Sequence, residues 1–286
     1  MPELPKISIV TPCFNSVHTI RETLQSVASQ NYPNLEHLVI DGGSTDGTLE
    51  IVKEFPHVRW VSERDEGHWH AMDKGIRLAT GEAFAILNAD DFYRPGVLQP
   101  VGEALAQHPA WDGLFGDVVF VDENGSEIFR REEAFWDPQI IRYGLALAHH
   151  QALFLRKATY ERLGSYRYRE FKGTCDVEYL NRLVRAQANI GHIPVLIVNF
   201  RFHSRGQSAD ERVCANMARE SALIRAEYGV PGGWLGRMLM TYGRIKRQAQ
   251  KLLYRGKCDL IPGGLLLRRH FRPKSQFSSN IGLDKL

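Results

Sequence analysis

Hydrophobic positions in the first hundred residues alternate between short continuous runs and runs with helical spacing. The continuous runs cover residues 6–11, 35–40, 58–62 and 83–87. Each predicts a strand, and the run at residues 83–87 has the length and continuity of a strand that is buried on both faces of a sheet. Between them, apolar residues such as Ile20, Leu24 and Val27 recur at helical spacing, which predicts amphipathic helices. Strands that alternate with helices in this way predict a parallel sheet with right-handed crossovers.

The pattern becomes mixed after residue 110. The turn sequence Asp122-Glu123-Asn124-Gly125 is flanked by apolar runs at residues 114–121 and 127–130, which predicts a β-hairpin. Further strands are predicted at residues 149–155 and 195–202, and further helices at residues 48–55, 176–188 and 209–228. We therefore expect an α/β protein whose second half is less regular than its first.

Polar side chains follow three of the predicted parallel strands. The three strand ends are Thr11-Pro12-Cys13, Asp41-Gly42-Gly43 and Asn88-Ala89-Asp90-Asp91. The carboxyl ends of parallel strands meet at one edge of a sheet, where open α/β folds bind their ligands. We therefore expect these side chains to lie close together at a binding site.

Asp90 and Asp91 are adjacent acids that follow the fourth predicted strand. Neighbouring carboxylates raise each other's pKa unless a cation or hydrogen-bond donors compensate. Their hard oxygens suit Mg²⁺ or Mn²⁺ that carries a substrate phosphate. The alternative is a helix N-cap and a solvated acid ahead of the predicted helix that follows Pro95. The two other polar strand ends at the same sheet edge favour the ligand site.

Composition restricts the class of protein. The chain has 286 residues, of which 43% are hydrophobic and 24% charged, and this fits one large domain or one domain with an appendage. Its cysteines, which form no CxxC pair, are Cys13, Cys175, Cys214 and Cys258. Their spacing argues against a zinc site or a disulfide framework and indicates a reducing compartment. The start of the chain lacks an apolar signal core, and no run approaches the ~20 apolar residues of a membrane span. We therefore expect a cytoplasmic protein.

Charge is distributed unevenly along the chain. Residues 230–286 contain 12 Lys and Arg residues against Asp259 and Asp284, a net charge of +10, whereas residues 1–229 carry 24 basic and 31 acidic residues, or −7. Basic and apolar residues alternate in this tail, as they do near Trp234 and at residues 265–269. The composition predicts a helix on an anionic membrane surface, and the alternative is a packed helix whose basic face is in water. The tail has few aromatic residues and no recognised nucleic-acid-binding motif, so we predict no nucleic-acid partner.

Several motifs occur in the same order as in family 2 glycosyltransferases, which the chain resembles over residues 5–95 and more loosely over residues 110–205. The motifs are Ile9-Val10-Thr11-Pro12-Cys13-Phe14-Asn15, Gln30-Asn31-Tyr32-Pro33-Asn34-Leu35-Glu36, Val39-Ile40-Asp41-Gly42-Gly43-Ser44-Thr45-Asp46-Gly47-Thr48, Ser62-Glu63-Arg64-Asp65-Glu66-Gly67, Met72-Asp73-Lys74-Gly75-Ile76 and Leu87-Asn88-Ala89-Asp90-Asp91. The resemblance implies the GT-A fold, a Rossmann-like, three-layer α/β fold with a mostly parallel central sheet. We expect this domain to cover residues 1–208, with a nucleotide-sugar-binding half at 1–110 and an acceptor-binding half at 111–208. A helical, basic C-terminal extension at 209–286 would follow it.

The resemblance also implies an activity, which is the inverting transfer of a sugar from a UDP-sugar to an acceptor hydroxyl with the help of Mn²⁺ or Mg²⁺. The implied nucleotide-sugar-binding residues are Thr11, Pro12, Cys13, Asn15, Asp41, Asp65, Asn88, Ala89 and Asp90. The implied metal ligands are Asp90, Asp91 and His203, although a structural role for His203 is the alternative. Asn88 replaces the first acid of the DxD motif, so the contacts to the ribose and the metal depend more on Asp90 and Asp91. Which of these two residues binds the metal stays open.

Inversion requires a base that takes the proton of the attacking hydroxyl. The resemblance implies that this base lies in residues 173–180, and Asp176 is the predicted catalytic residue, with Glu178 as the alternative. A helix N-terminus would stabilise the Asp176 anion, and the alternative is that Asp176 serves only as a helix cap. Two weaker candidates also have structural alternatives. His150 could approach the acceptor or the diphosphate, and Trp69 could stack on a sugar.

Two other enzyme classes require a different loop after the first strand. A sugar-nucleotidyltransferase needs a glycine-rich basic loop after the first strand, and a nicotinamide dehydrogenase needs GxGxxG there; the sequence from Thr11 to Asn15 supplies neither. A non-catalytic nucleotide-sugar-binding protein is the remaining alternative. The expected acceptor is a saccharide or lipid-linked saccharide of cell-envelope polysaccharide or lipopolysaccharide synthesis. The expected location is the cytoplasm, peripheral on the inner face of the membrane.

Overall fold

The structure is a computed structural model that describes residues 3–202 and 211–255, with the backbone alone at residues 211–214. The described residues form two compact units. The first contains the chain up to Glu133 together with Ala148–Tyr168 and Arg185–Phe202. The second contains Ala134–Leu147, Arg169–Val184 and the described residues after 210.

The first unit is built around one mixed sheet. Its strands are β1 (Ile7–Cys13), β2 (Leu35–Asp41), β3 (Val58–Ser62), β4 (Ala83–Ile86), β5 (Phe92–Tyr93), β6 (Gly113–Val121), β7 (Glu127–Arg131), β8 (Leu153–Arg156) and β9 (Ile190–Arg201). Among the described residues these nine strands follow the order β3-β2-β1-β4-β8-β6-β9-β5, and β7 pairs with β6.

Helices occur in both units. The first unit has α1 (Ile20–Ala28), α2 (Thr48–Lys53), α3 (His68–Leu78), α4 (Leu98–Gln107) and α6 (Lys157–Leu163). The second has α5 (Pro138–Arg142), α8 (Glu211–Glu227), α9 (Gly233–Arg255) and nearly all of α7 (Cys175–Arg185).

The four strands predicted from the first hundred residues are confirmed, and they pair in parallel as β3-β2-β1-β4. Beyond β4 the sheet is mixed, because β8 runs antiparallel to β4 and to β6, whereas β9 runs parallel to β6. The predicted hairpin is confirmed by the antiparallel pair of β6 and β7. The α/β architecture predicted from the sequence is therefore the architecture of the protein.

Helices cover both faces of the parallel strands and so make the three layers. On one face, α3 lies so close that a Cβ added at Gly75 would be 2.3 Å from Val10 and 3.0 Å from Ile40. On the other, Ile9 of β1 shares a buried cluster with Leu98 of α4. The side chains of β1, β2 and β4 are thus buried on two covered faces, which explains their apolar runs, whereas Arg59 and Trp60 of the edge strand β3 are exposed.

Three predicted boundaries are wrong. The last strand was predicted to begin at residue 195, but β9 begins at Ile190, and Pro194 lies where its pairing with β6 is irregular. Residues 149–155 were expected to be a strand, but His150–Ala152 form a 3₁₀ turn ahead of β8. A short buried turn and a buried strand give the same apolar run. The helix predicted to reach residue 188 ends at Arg185, because Gln187 has the left-handed φ of 53°, which interrupts a helix.

The second unit packs α9 against the segment that contains α5. Asp137 caps α5 by accepting a hydrogen bond from the Gln139 N–H at 2.9 Å, and Lys246 of α9 lies 2.7 Å from the same carboxylate. The predicted helix at 209–228 corresponds to α8. Residues 256–286, including the apolar-basic patch at 265–269, lie outside the described residues. Within 3–202 and 211–255, none of the helices is both long and apolar enough to cross a membrane.

Candidate functional site

The ends of β1 and β2 lie side by side in the sheet, as predicted, and the end of β3 lies on the other side of β2. Cys13 pairs with Asp41, and Asp41 pairs with Ser62. The buried Asp41 carboxylate accepts hydrogen bonds from the Ser44 N–H at 3.0 Å and the Ser62 hydroxyl at 2.6 Å. It also accepts one from the Gly43 N–H at 3.2 Å. Asp41 therefore holds the glycine-rich turn against β3 through its own side chain.

Asn15 joins the turns that follow β1 and β2. Its N–H donates to the Ser44 hydroxyl at 2.8 Å, and its side-chain oxygen accepts from the Thr45 N–H at 3.0 Å. Asn15 has the left-handed φ of 49°, which asparagine tolerates better than most residues. The two contacts fix the position of the residue before it, Phe14.

Phe14, Gly42 and Asp65 form an open shelf at this edge. A Cβ at Gly42 would lie 2.9 Å from the Asp65 carboxylate and 3.4 Å from the Phe14 ring, so only glycine leaves this space open. The Phe14 side chain is 62% exposed, and Asp65 is held by the Gly67 N–H at 2.8 Å. The sequence reasoning did not single out Phe14. The sequence does contain an indication of its role, because Phe14 is an aromatic residue in the turn that directly follows the first predicted strand.

Thr11, Pro12 and Cys13 have buried side chains. The Thr11 hydroxyl lies 3.0 Å from the His37 ring nitrogen Nε2, and burial lowers the pKa of His37 to about 3. Burial, followed by the Asp41 charge, raises the pKa of the Cys13 thiol. These side chains contribute to the interior of the sheet edge, and their assignment to nucleotide binding stays a prediction.

The loop after β4 carries Asn88, Ala89, Asp90 and Asp91. The Asn88 N–H points to the Gln151 side-chain oxygen at 3.4 Å, and Ala89 belongs to the buried cluster that lines α1. Asp90 is partly exposed and Asp91 is fully buried. The two acids therefore differ in solvent access although they are neighbours in sequence.

The two oxygens of the Asp91 carboxylate differ in their hydrogen bonding. One oxygen accepts the Arg201 N–H at 2.6 Å, while Oδ2 has no hydrogen-bond partner among the described residues. Burial, then the Asp90 charge, raises the pKa of Asp91, and the Arg201 N–H and the Gln151 amide oppose this rise. A buried oxygen without a donor is costly, and a cation would remove that cost.

A divalent cation fits this pair of acids only together with a ligand. The part of the chain that the structure describes has no group of three or more His, Cys, Asp or Glu side chains placed to hold a metal. Mg²⁺ is commonly bound by one or two carboxylates, with substrate phosphates and water completing its shell. Asp90 and Oδ2 of Asp91 match that donor set. These two residues alone would not be enough for a metal that is bound only by protein side chains. His203, the third predicted ligand, lies outside the described residues.

His68 is the first residue of α3 and interacts electrostatically with Asp90. Burial and, to a smaller extent, the charge of His150 lower the pKa of His68 to about 4, whereas the charge of Asp90 opposes this shift. Trp69 lies with its ring 4.7 Å from His68, 5.8 Å from His150 and 5.2 Å from Tyr166, measured between centroids. Trp69 is buried, in agreement with the structural alternative for this residue. His68 is not among the site residues predicted from the sequence, because no local pattern links residue 68 to residue 90.

The predicted base and its alternative lie in the second unit, on the first turn of α7. Glu178 is fully buried, accepts a hydrogen bond from the Tyr228 hydroxyl at 2.9 Å and pairs with Arg182. Asp176 is partly exposed. Upstream of it, the buried Glu220 carboxylate accepts the Gly173 N–H at 2.9 Å and the Thr174 hydroxyl at 2.8 Å. The chain that leads into α7 is therefore anchored from α8.

Comparison with known protein sequences places these residues in a family. The sequence model described as Glycosyl transferase family 2 matches residues 8–163. A PGL/p-HBAD biosynthesis glycosyltransferase of Mycobacterium bovis is 34% identical over 172 residues, which are 58% of this chain. The chain spans 64% of that relative's length. A second relative, an uncharacterized glycosyltransferase of Mycobacterium tuberculosis, is 30% identical over 191 residues, covering 64% of this chain and 70% of its own.

Solved structures share the fold. Residues 1–349 of Staphylococcus aureus TarS in complex with UDP match with a TM-score of 0.57 at 21% identity, covering 79% of this chain and 71% of that one. The Pyrobaculum calidifontis mannosyltransferase PcManGT, in complex with GDP-Man and Mn²⁺, matches with a TM-score of 0.56 at 20% identity and covers 90% of this chain and 84% of its own. These similarities are to GT-A glycosyltransferases, and at this level of identity they establish the fold alone.

Proposed function

Because the chain belongs to glycosyl transferase family 2, we propose that it transfers a sugar from a UDP-sugar to an acceptor hydroxyl with inversion. The observation that carries this proposal is the arrangement of β1, β2 and β4 in parallel, with the Phe14 shelf and the two acids at their carboxyl ends. Ligands of open α/β folds bind at such an edge. The family match supports a nucleotide-sugar as the ligand class.

The shelf of Phe14, Gly42 and Asp65 receives the nucleotide base. An exposed ring gives a stacking surface, and the carboxylate accepts a hydrogen bond from a base N–H. Asp41 and Asn15 keep the shelf in place through the turns that they hold. Uridine is the proposed base, and the UDP in the TarS structure supports it.

Asp90 and Asp91 hold the diphosphate end of the donor through a divalent cation, Mn²⁺ or Mg²⁺. When bound, the cation neutralises the charge that develops on the leaving diphosphate. The partly exposed Asp90 faces the ligand, and Asp91 supplies its unsatisfied Oδ2. The Mn²⁺ in the PcManGT structure supports this choice of ion.

Asp176 is the proposed base. The acceptor oxygen forms a bond to the anomeric carbon, the bond from that carbon to the diphosphate oxygen breaks, and the hydroxyl proton passes to the Asp176 carboxylate. This single displacement inverts the anomeric centre. Glu178 is less suited to the role, because Tyr228 and Arg182 occupy its carboxylate in a buried position.

The proposed acceptor is a saccharide or a lipid-linked saccharide in the synthesis of an envelope polysaccharide or lipopolysaccharide. The mycobacterial relative is described as a PGL/p-HBAD biosynthesis glycosyltransferase, which supports a glycoconjugate acceptor. The proposed location is the cytoplasmic face of the membrane, where the protein would be peripheral.

Binding and turnover test this function separately. Calorimetric titration with UDP and GDP, each with and without Mn²⁺, should show binding of UDP that Mn²⁺ strengthens. Incubation with UDP-sugars and Mn²⁺ should release UDP slowly by hydrolysis, and faster with a suitable saccharide acceptor. Binding without any UDP release would favour the non-catalytic alternative. Formation of UDP-sugar from a sugar phosphate and UTP would favour a nucleotidyltransferase, and absence of nucleotide binding would contradict both glycosyltransferase and binding protein.

A further inference from the structure

Helix α9 has two faces of different character. One face packs within the second unit, where a Cβ added at Gly243 would lie 3.2 Å from Leu145 and 3.3 Å from Tyr143. Lys246 and Gln250 reach the Asp137 carboxylate from the same helix, at 2.7 and 2.6 Å. These contacts fix the orientation of α9 about its own axis. They therefore fix which of its side chains point into solvent.

The opposite face is apolar and exposed along the whole helix. We call it the α9 stripe, and its large members are Trp234, Leu235, Met238, Tyr242, Ile245, Leu252 and Leu253. Their exposed fractions range from 40% at Leu235 to 80% at Leu253. The spacing of three, four and seven residues places them on one side of a 23-residue helix. A continuous exposed apolar surface of this kind marks an interaction site.

The charges beside the stripe have one sign. α9 contains six Lys and Arg residues and no Asp or Glu. Arg237 and Arg244 are exposed and seven residues apart, which places them along one border of the stripe. Lys246, in contrast, pairs with Asp137 inside the second unit and does not add to this border. An apolar surface bordered by cations is complementary to a partner that has an apolar interior and an anionic surface.

We propose that the α9 stripe docks on the surface of an anionic lipid bilayer. The apolar side chains enter the boundary between headgroups and acyl chains, and the arginines contact lipid phosphates. A second copy of the chain is disfavoured as occupant, because α9 itself carries basic and no acidic residues, so two such helices would place like charges opposite each other. A nucleic acid would leave the apolar stripe in water. This docking deepens the peripheral location proposed above but does not depend on the transfer chemistry.

The test compares matched variants of the full chain in vesicle flotation. Ile245→Gln/Leu252→Gln replaces two stripe residues, and Leu78→Gln/Leu223→Gln replaces two exposed apolar residues on α3 and α8. All four side chains are at least 39% exposed, so neither variant should unfold. On phosphatidylcholine–phosphatidylglycerol vesicles, we expect the stripe variant to bind at least about tenfold more weakly than wild type. The control variant should bind as wild type.

The charge contribution is tested with Arg237→Gln/Arg244→Gln. At about 1 kcal/mol for each cation near an anionic surface, this variant should bind about 30-fold more weakly to the mixed vesicles. On phosphatidylcholine alone it should match wild type. Wild-type protein that does not float, or a stripe variant that floats as wild type does, overturns the proposal. The proposal is also overturned if neither protein binds vesicles and the wild type is a dimer whereas the stripe variant is a monomer. That outcome would assign the stripe to contact with a second copy of the chain. UDP binding by calorimetry should be unchanged in all variants, which separates this test from that of the enzymatic function.

Discussion

Asp91 accepts the backbone N–H of Arg201 at 2.6 Å, and this hydrogen bond ties the loop after β4 to the last residue of β9. The two residues are 110 positions apart, and the contact leaves the second oxygen of Asp91 without a partner among the described residues. The carboxylate thus combines a structural contact with an unsatisfied oxygen beside Asp90. These two roles can be separated by substitution.

Asp91→Asn should separate them because asparagine retains an oxygen that can accept the Arg201 N–H while losing the negative charge. We expect UDP affinity in the presence of Mn²⁺ to fall by at least about tenfold, and UDP affinity without metal to stay unchanged. Calorimetry at several Mn²⁺ concentrations measures both. Asp90→Asn serves as the comparison and should show the same loss. If Asp91→Asn binds UDP and Mn²⁺ as wild type does, Asp91 serves only to hold β9.

Gly42→Ala should obstruct the shelf without affecting the core. Its Cβ would lie 2.9 Å from the Asp65 carboxylate, which must move, so we expect UDP to bind at least about tenfold more weakly because the shelf is preorganised. The melting temperature should change little, since the displaced side chain is at the surface.

Gly75→Ala is the matched control for that substitution. Its Cβ would lie 2.3 Å from Val10 inside the sheet–helix layer, and overpacking of this kind costs about 1–3 kcal/mol of unfolding free energy. Chemical denaturation of both variants distinguishes the sites. Equal loss of stability in the two variants would show that Gly42 is required for the fold and not for the shelf.

Glu36 should make stability depend on pH in the acid range. Burial raises the pKa of Glu36, but hydrogen bonds from Ser8, Thr80 and Arg59 outweigh it and lower the pKa from 4.5 to about 2. A lowered pKa means that the folded state favours the anion, so the stabilisation is complete above pH 4.5 and is lost as pH falls towards 2.

Glu36→Gln should therefore reduce the free energy of unfolding by about 3 kcal/mol at pH 7. Its difference from wild type should shrink as pH falls from about 4.5 to 2. Urea denaturation across this pH range measures the effect. Glu54→Gln is the control, because the Glu54–Arg21 pair is exposed on both sides and exposed pairs contribute little. A pH-independent difference for Glu36→Gln would contradict the assigned cause.

Asp176→Asn should abolish sugar transfer while UDP binding stays within about threefold of wild type, because only the proton acceptor is removed. Transfer is measured by UDP release in the presence of acceptor, and binding by calorimetry. Loss of both properties would reassign Asp176 to binding or structure.

Glu178→Gln gives the contrast with Asp176. Its carboxylate bonds to Tyr228 and Arg182 inside the second unit, so removing the charge leaves Arg182 without its anionic partner and should lower the melting temperature. Differential scanning calorimetry measures this loss, and Asp176→Asn should melt as wild type. A catalytic defect in Glu178→Gln without a stability defect would favour Glu178 as the base.

The sequence by itself determined the alternating strands and helices of the first half, because burial on both faces leaves continuous apolar runs that can be read locally. It also determined that Asp41 and Asp90 follow parallel strands, and hence that they share a sheet edge. Tertiary structure decided the rest. The Asp91–Arg201 hydrogen bond, the electrostatic interaction of His68 with Asp90 and the opening beside Gly42 join residues that are distant in the chain, and no local pattern encodes such contacts. The same holds for α9, whose sequence shows an amphipathic helix, whereas packing of Gly243 and Lys246 decides that its apolar stripe faces solvent.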